Sequence, residues 1–217
     1  MPAHECTLTI GEAKLGAELH CHSDNRAIVL FAHGSGSSRH SPRNQYVAEI
    51  LRGAGLGTFL FDLLTEAEED SEARTGHLRF DIQFLSRRLE NATSWLVDHL
   101  APRNSNLGYF GSSTGAAAAL MAAAQLQQGI GAIVSRGGRP DLAGETLTRV
   151  SAPTLLLVGG DDEVVLELNR KAYALLHCEK DLRVIPGASH LFPEPGKLEA
   201  VAQMAADWFA SHLFRDT

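Results

Sequence analysis

The run Gly111-Ser112-Ser113-Thr114-Gly115 sets a serine hydroxyl between glycines two residues away on either side. It follows an apolar run, Asn106 to Phe110, and opens an alanine-rich one, Ala116 to Ala124. In a strand-turn-helix setting this spacing makes a sharp bend that exposes the central serine, and small residues flank it because strand and helix must approach closely there. The register selects Ser113 over Ser112. A serine hydroxyl is a poor nucleophile at neutral pH and needs a base, with a carboxylate behind the base to fix its tautomer. Two later turns supply these types in the order serine, acid, histidine: Gly159-Gly160-Asp161-Asp162-Glu163 and Pro186-Gly187-Ala188-Ser189-His190. Asp161 and Asp162 compete for the acid. The turn glycines leave one residue before it, which favours Asp162 and leaves Asp161 as a solvent-facing turn or helix-cap residue.

Acyl transfer also needs two preorganised N–H donors for the developing oxyanion, usually from the residue after the nucleophile and from a loop following an inner strand. Thr114 and Ser35 fit, the latter in His33-Gly34-Ser35-Gly36 after the apolar run Ala27 to Ala32. A phosphate loop is not expected, since no Gly-Lys-Ser/Thr follows and the dinucleotide glycine spacing breaks at Arg39. Gly53, Gly55 and Gly57 mimic that spacing on the wrong side of a strand. His20 and His22 share one strand face with Cys21 on the other, a poor metal geometry, so no metal and no cofactor are expected. Candidate substrate contacts are His33, Arg39, His77 and Arg136, with Arg43 and Arg139 in the same loops; the arginines suit a carboxylate through their planar fork. The acidic stretch from Thr65 to Gly76 reads as a solvated loop, with a lid over a pocket as the sharper alternative.

These residues need a scaffold that brings distant loops together. Short apolar or β-branched runs at Ala27 to Ala32, Leu56 to Phe61, Asn106 to Phe110, Ile130 to Ser135, Thr154 to Val158 and Leu182 to Ile185 read as parallel strands buried on both faces. Helical patterns fall between them, at Arg43 to Gly53, Leu78 to Leu100, Gly115 to Gln128, a short one near Asp141 to Arg149, Val164 to His177 and Glu194 to Leu213. Thr7 to Ile10 and Gly16 to His22 alternate, as an antiparallel edge pair does. The fold class is α/β, with one sheet in one domain over 1–217.

Composition narrows the partners. Lys and Arg total 19 against 26 Asp and Glu, a formal charge of −7, which disfavours a nucleic-acid backbone. Cys6, Cys21 and Cys178 are too few and scattered for a disulfide framework, so a reducing, cytoplasmic location is expected. Met1 to Ile10 lacks the basic start and apolar stretch of an export signal, and no apolar run approaches a membrane span. A monomer or weak homodimer is expected.

Taken together, the His33-Gly34 loop, the Ser113 bend, the Gly159-Gly160-Asp161-Asp162 turn and the Ala188-Ser189-His190 turn resemble the α/β-hydrolase superfamily, in its compact dienelactone-hydrolase-like branch. The resemblance runs from about Arg26 to the C-terminal helix. It implies a mostly parallel sheet of about eight strands with helices on both faces, a Ser/Cys-Asp-His triad, and hydrolysis of small-molecule esters or lactones. Dienelactone hydrolase proper uses a cysteine where this chain has Ser113. Arg136 to Pro153 is too short for a helical cap domain, so an open site is expected. A non-catalytic binding protein on the same scaffold and an acyltransferase with the same triad are the alternative readings.

Overall fold

The computed structural model describes residues 4–22, 25–100 and 105–214. Residues 1–3 of the stretch read against an export signal therefore lie outside it. Eight strands form one sheet in the order β1 (His4–Ile10), β2 (Ala13–His20), β4 (Gly57–Phe61), β3 (Ala27–Ala32), β5 (Asn106–Ser112), β6 (Ala132–Arg136), β7 (Thr154–Gly159), β8 (Lys180–Ile185). The first two pair antiparallel, β2 runs antiparallel to β4, and the strands from β4 to β8 are parallel. Among the described residues there are six α-helices: α1 (Pro42–Gly53), α2 (Glu66–Thr75), α3 (Ile82–His99), α4 (Thr114–Leu126), α5 (Glu163–Leu175) and α6 (Lys197–Leu213). Among the described residues, no helix is long and apolar enough to cross a membrane.

Two apolar layers follow from the strand period of two. All of β3 is buried; Ile28 and Leu30 join the layer under α3 and α4, while Ala27, Val29 and Phe31 join the one under α1 and α6. A strand wet on one face cannot be apolar at every position, so this run demanded helices on both sides. On α3 the buried Ile82, Leu85, Leu89, Ala92 and Leu96 recur at three- and four-residue steps and make one stripe. The alanines of α4 let it lie close to the sheet and leave it buried nearly all round.

Apart from a 3₁₀ turn, Leu78–Phe80, that splits off the start of the helix expected from Leu78, two stretches depart from the sequence expectation. The short helix near Asp141 to Arg149 is a 3₁₀ segment, Pro140–Arg149, kinked at Gly144, whose φ of 56° no helix accommodates. The acidic stretch is not a loop but α2. Thr65 Oγ1 accepts the Glu68 N–H while Glu68 Oε2 accepts the Thr65 N–H, and Gly76 closes the other end in the left-handed region. This capping box, together with acidic residues in the first turn that favour the helix dipole, outweighs the repulsion among the carboxylates. Glu72 is buried and accepts the N–H groups of Leu78 and Arg79 and the Arg79 Nε, tying α2 to the next segment. Burial raises its pKa, but those bonds outweigh it and the net shift is downward. Such a carboxylate stabilises the fold fully above the ordinary glutamate range, and the contribution fades as pH falls through its depressed pKa.

The register brings the loops together. Ala32 pairs with Gly111, Ser112 with Arg136 and Gly159 with Ile185, so adjacent parallel strands end at similar levels. Their carboxyl-end loops therefore gather on one edge of the sheet, where open α/β folds place their sites.

Candidate active site

Ser113 stands between the end of β5 and the start of α4 with φ 51° and ψ −124°. Few non-glycine residues hold a positive φ, and its persistence means the surroundings over-determine it. Those surroundings are visible. The Ser113 carbonyl accepts the N–H groups of Ala116 and Arg139, at 3.1 and 3.0 Å, and its own N–H donates to the Arg136 carbonyl at 3.4 Å. A Cβ on Gly111 would stand 2.5 Å from Ala116 Cα, and one on Gly115 would collide with the carbonyl oxygens of Ala32 and His33. The flanking glycines are therefore steric necessities. We expect Gly115→Ala to destabilise the chain by about 3 kcal/mol, the upper range for an overpacked site, measured by urea unfolding, because the obstructing atoms are backbone.

Histidine and acid meet on neighbouring loops. His190 Nδ1 and Asp162 Oδ2 are 2.6 Å apart. With the carboxylate as acceptor, Nδ1–H donates and Nε2 is left as the basic nitrogen. Asp162 is partly buried and occupies the N-cap position of α5 without capping it, its side chain being turned to His190 instead. Asp161, expected as the turn or cap residue, is exposed in the preceding turn. The histidine loop is anchored from below: Phe192 is buried with φ 55°, and Glu194 Oε1 accepts the Ser189 N–H at 3.1 Å.

The Arg136–Arg139 segment connects the two halves. It binds the Ser113 backbone at both N–H and carbonyl, and a Cβ on Gly137 would lie 2.8 Å from the His190 carbonyl oxygen and 3.8 Å from the ring's Cε1. Ser113 Oγ faces the other loop, 3.6 Å from a Cβ built on Gly34. The hydroxyl makes no hydrogen bond to the His190 ring as they stand; nucleophile–base bonds commonly tighten only around substrate.

The loop after β3 is held rather than free. His33 is buried, its Nδ1–H donating to the Gly34 carbonyl at 3.0 Å and its Nε2 accepting the Leu63 N–H at 3.0 Å. Burial lowers its pKa, which keeps the ring neutral in this bracket. Both nitrogens are spent on the backbone, so His33 shapes the loop and offers no group to a substrate. The Ser35 N–H donates to Thr114 Oγ1 at 3.1 Å, and the two hydroxyls lie 3.0 Å apart. Ser35 Oγ donates onward to the Arg79 carbonyl. Thr114 thus ties this loop to the first turn of α4.

The remaining sequence candidates separate. Arg39 is engaged with both oxygens of Asp62 and packs against Gly16, where any Cβ would strike its guanidinium. Held by Asp62, it braces the β2–β4 edge and lines the wall of a wide cleft. His77 is exposed at the end of α2. Arg139 pairs with Asp141 through two bonds of 2.9 and 2.8 Å. Arg136 differs from all of these: it is buried, its pKa is lowered to about 10 by burial and by Arg43, and it donates to Asn44 Oδ1 at 3.3 Å. Sequence reading did not single out Asn44, and took Glu72 only as one charge of a solvated acidic stretch. The Thr65-x-x-Glu68 spacing signalled the helix that carries Glu72, whereas nothing local marked Asn44, whose partner lies on a distant strand.

Apolar Leu63, Leu64 and Leu85 line a small cavity with Gly34, Ser35 and Thr114, beside the Ser113 bend. A wider cleft next to it runs between the 35–43 segment and α2. Among the described residues, no cluster of His, Cys, Asp and Glu is arranged to hold a metal ion.

The mostly parallel eight-stranded sheet, its helical layers and a serine bend at the end of a central strand define an α/β-hydrolase fold. A solved dienelactone hydrolase from Anabaena variabilis is 53% identical to this chain, covers 98% of each and superimposes with a TM-score of 0.95. The chain belongs to the dienelactone hydrolase family. A dienelactone-hydrolase-like promiscuous phosphotriesterase from metagenomic libraries shares the fold at 18% identity, with coverage of 97% of this chain and 98% of that one and a TM-score of 0.78. Two curated Mycobacterium tuberculosis proteins, provisionally named phosphoribosyl transferases, are 54% identical over 209 residues. The match covers 96% of this chain and 46% of theirs, so the chain spans about half the length of those relatives. No family model matches the chain.

Proposed function

We propose that the chain is a serine hydrolase of small-molecule carboxylic esters or lactones. His190 Nε2 takes the proton of Ser113 Oγ as that oxygen attacks the acyl carbonyl, and Asp162 holds the ring and steadies the imidazolium. The oxyanion is received by two amides. One is the Thr114 N–H, which opens α4 and belongs to the set a helix leaves without an internal partner. The other is the Ser35 N–H, which must turn from Thr114 Oγ1 toward the substrate oxygen. Collapse of the intermediate expels the alcohol, protonated by His190, and water then releases the acyl group by the reverse proton path. No cofactor enters these steps.

The observation that carries the reading is the positive φ of Ser113 at a strand–helix junction between two sterically required glycines, the backbone that projects a nucleophilic hydroxyl from a sheet edge. The leucines beside Gly34 and Thr114 support a short apolar acyl group. The transferase name belongs to the longer relatives; the gathering of the Ser113, Asp162 and His190 loops on one sheet edge supports acyl transfer for this chain instead. Short p-nitrophenyl esters in water, with and without an added alcohol, test the reading. Release of free acid as the main product is expected; ester formed with the alcohol as the main product would make the chain an acyltransferase, and no turnover would favour a binding protein.

A further inference from the structure

Arg136 ends β6 and continues the Ala132–Val134 alternation, which puts its side chain on the α1 and α6 face. It is 6% exposed. Its Nη2 donates to Asn44 Oδ1, but Nε and Nη1 are buried with no partner among the described residues. Buried polar groups are nearly always satisfied, and a buried guanidinium normally has a carboxylate. Here the neighbouring charge has the same sign: Arg43, exposed and without an ion pair among the described residues. The first turn of α1, which carries Arg43 and Asn44, holds no acidic residue, and Pro42 has no N–H to offer. A helix start adds partial positive charge and favours oxyanions.

Two cations with no ion pair among the described residues converge with a helix N-terminus, with donors left over; Glu194 and Glu199 line a groove with Arg43 but make no ion pair with it. We infer that Arg136, Arg43 and Asn44 form a binding site for a phosphate group. A carboxylate would leave one positive charge unmatched, whereas phosphate, close to a dianion at neutral pH, balances both and presents oxygens in several directions to the two guanidinium groups. Access requires Arg43, an exposed side chain, to change rotamer. The site adjoins the serine bend, because Arg136 is the register partner of Ser112 and its carbonyl accepts the Ser113 N–H. Arg43 also lines the wide cleft shared with Ser35 and Leu64. The phosphate is therefore either part of the ester that Ser113 attacks or free inorganic phosphate.

Two measurements test the site, the first independent of the serine reading and the second resting on it. In the first, the thermal midpoint of the full chain is followed in inorganic phosphate against sodium chloride of equal ionic strength, which removes general screening. A saturable rise is expected, lost in Arg136→Met and weakened in Arg43→Gln; the latter substitutes an exposed residue and keeps the test valid if the buried variant fails to fold. In the second, kcat/KM for 2-acetoxyethyl phosphate is compared with that for 2-methoxyethyl acetate. A preference of about tenfold or more, the worth of one good charge-assisted contact, places the phosphate on the substrate, and it should shrink in Arg43→Gln. A thermal rise with no kinetic preference supports binding of free phosphate. No rise beyond that in chloride, or an Arg43→Gln chain that responds like the natural one, overturns the site. Loss of all ester turnover with the thermal rise intact sinks the serine reading and leaves the phosphate site standing.

Discussion

Ser113→Ala is expected to lower ester turnover by a factor on the order of 10⁶ while leaving KM within a few fold, because the substrate contacts survive and the attacking oxygen does not. The residual rate should still exceed that in water, since the amides of Thr114 and Ser35 continue to polarise a bound carbonyl. Loss of the hydroxyl also relieves no strain, because the positive φ is imposed by Gly111, Gly115 and the bonds from Ala116 and Arg139 rather than by the side chain. The variant should therefore fold as the natural chain does, and steady-state kinetics on a p-nitrophenyl ester checks it. A variant retaining natural turnover would remove Ser113 from the chemistry.

The second large effect separates neighbours. Asp162→Asn is expected to cost about 10⁴ in kcat at neutral pH. An amide in place of the carboxylate can present N–H to Nδ1, which then becomes the acceptor and carries the proton to Nε2, where it blocks attack by Ser113. Asp161→Asn changes an exposed turn residue whose backbone, not its side chain, is engaged: its N–H donates to the Ala188 carbonyl at 3.0 Å. Its activity should stay within about twofold of the natural chain, as surface substitutions away from a site usually do. Equal losses in both variants would mean that the turn as a whole, and not the 2.6 Å contact from Asp162 to His190, supports the activity.

Much of this arrangement is legible before folding is considered. Continuous apolar runs such as Ala27 to Ala32 require burial on both faces, and that requirement already implies crossover helices and clustered strand ends. The Ser113 bend can be read because its steric needs are local: two glycines at fixed offsets. The histidine and the acid follow from their order along the chain and the turn glycines beside them. What stays hidden depends on distant partners. Arg39 looks like a substrate clamp until Asp62, on the far side of β4, is seen to hold it. His33 looks like a ligand contact until Leu63 takes its second nitrogen. Arg136 is the reverse case, an arginine in a strand whose missing counter-charge becomes evident only when α1 lies across it. The acidic stretch around Glu72 was readable in principle. Its capping residues were in view, but the density of like charge pointed to a solvated loop, and the tertiary bonds of Glu72 decided otherwise.

Serine hydrolysis requires one oxygen, Ser113 Oγ, to become covalently linked. Incubation of the full chain with a fluorophosphonate, followed by peptide mass spectrometry, should place a single phosphonyl adduct on Ser113, with labelling slowed by orders of magnitude in His190→Ala because the base is gone. An adduct on another residue, or a chain that turns over esters while Ser113 stays unmodified, would contradict it.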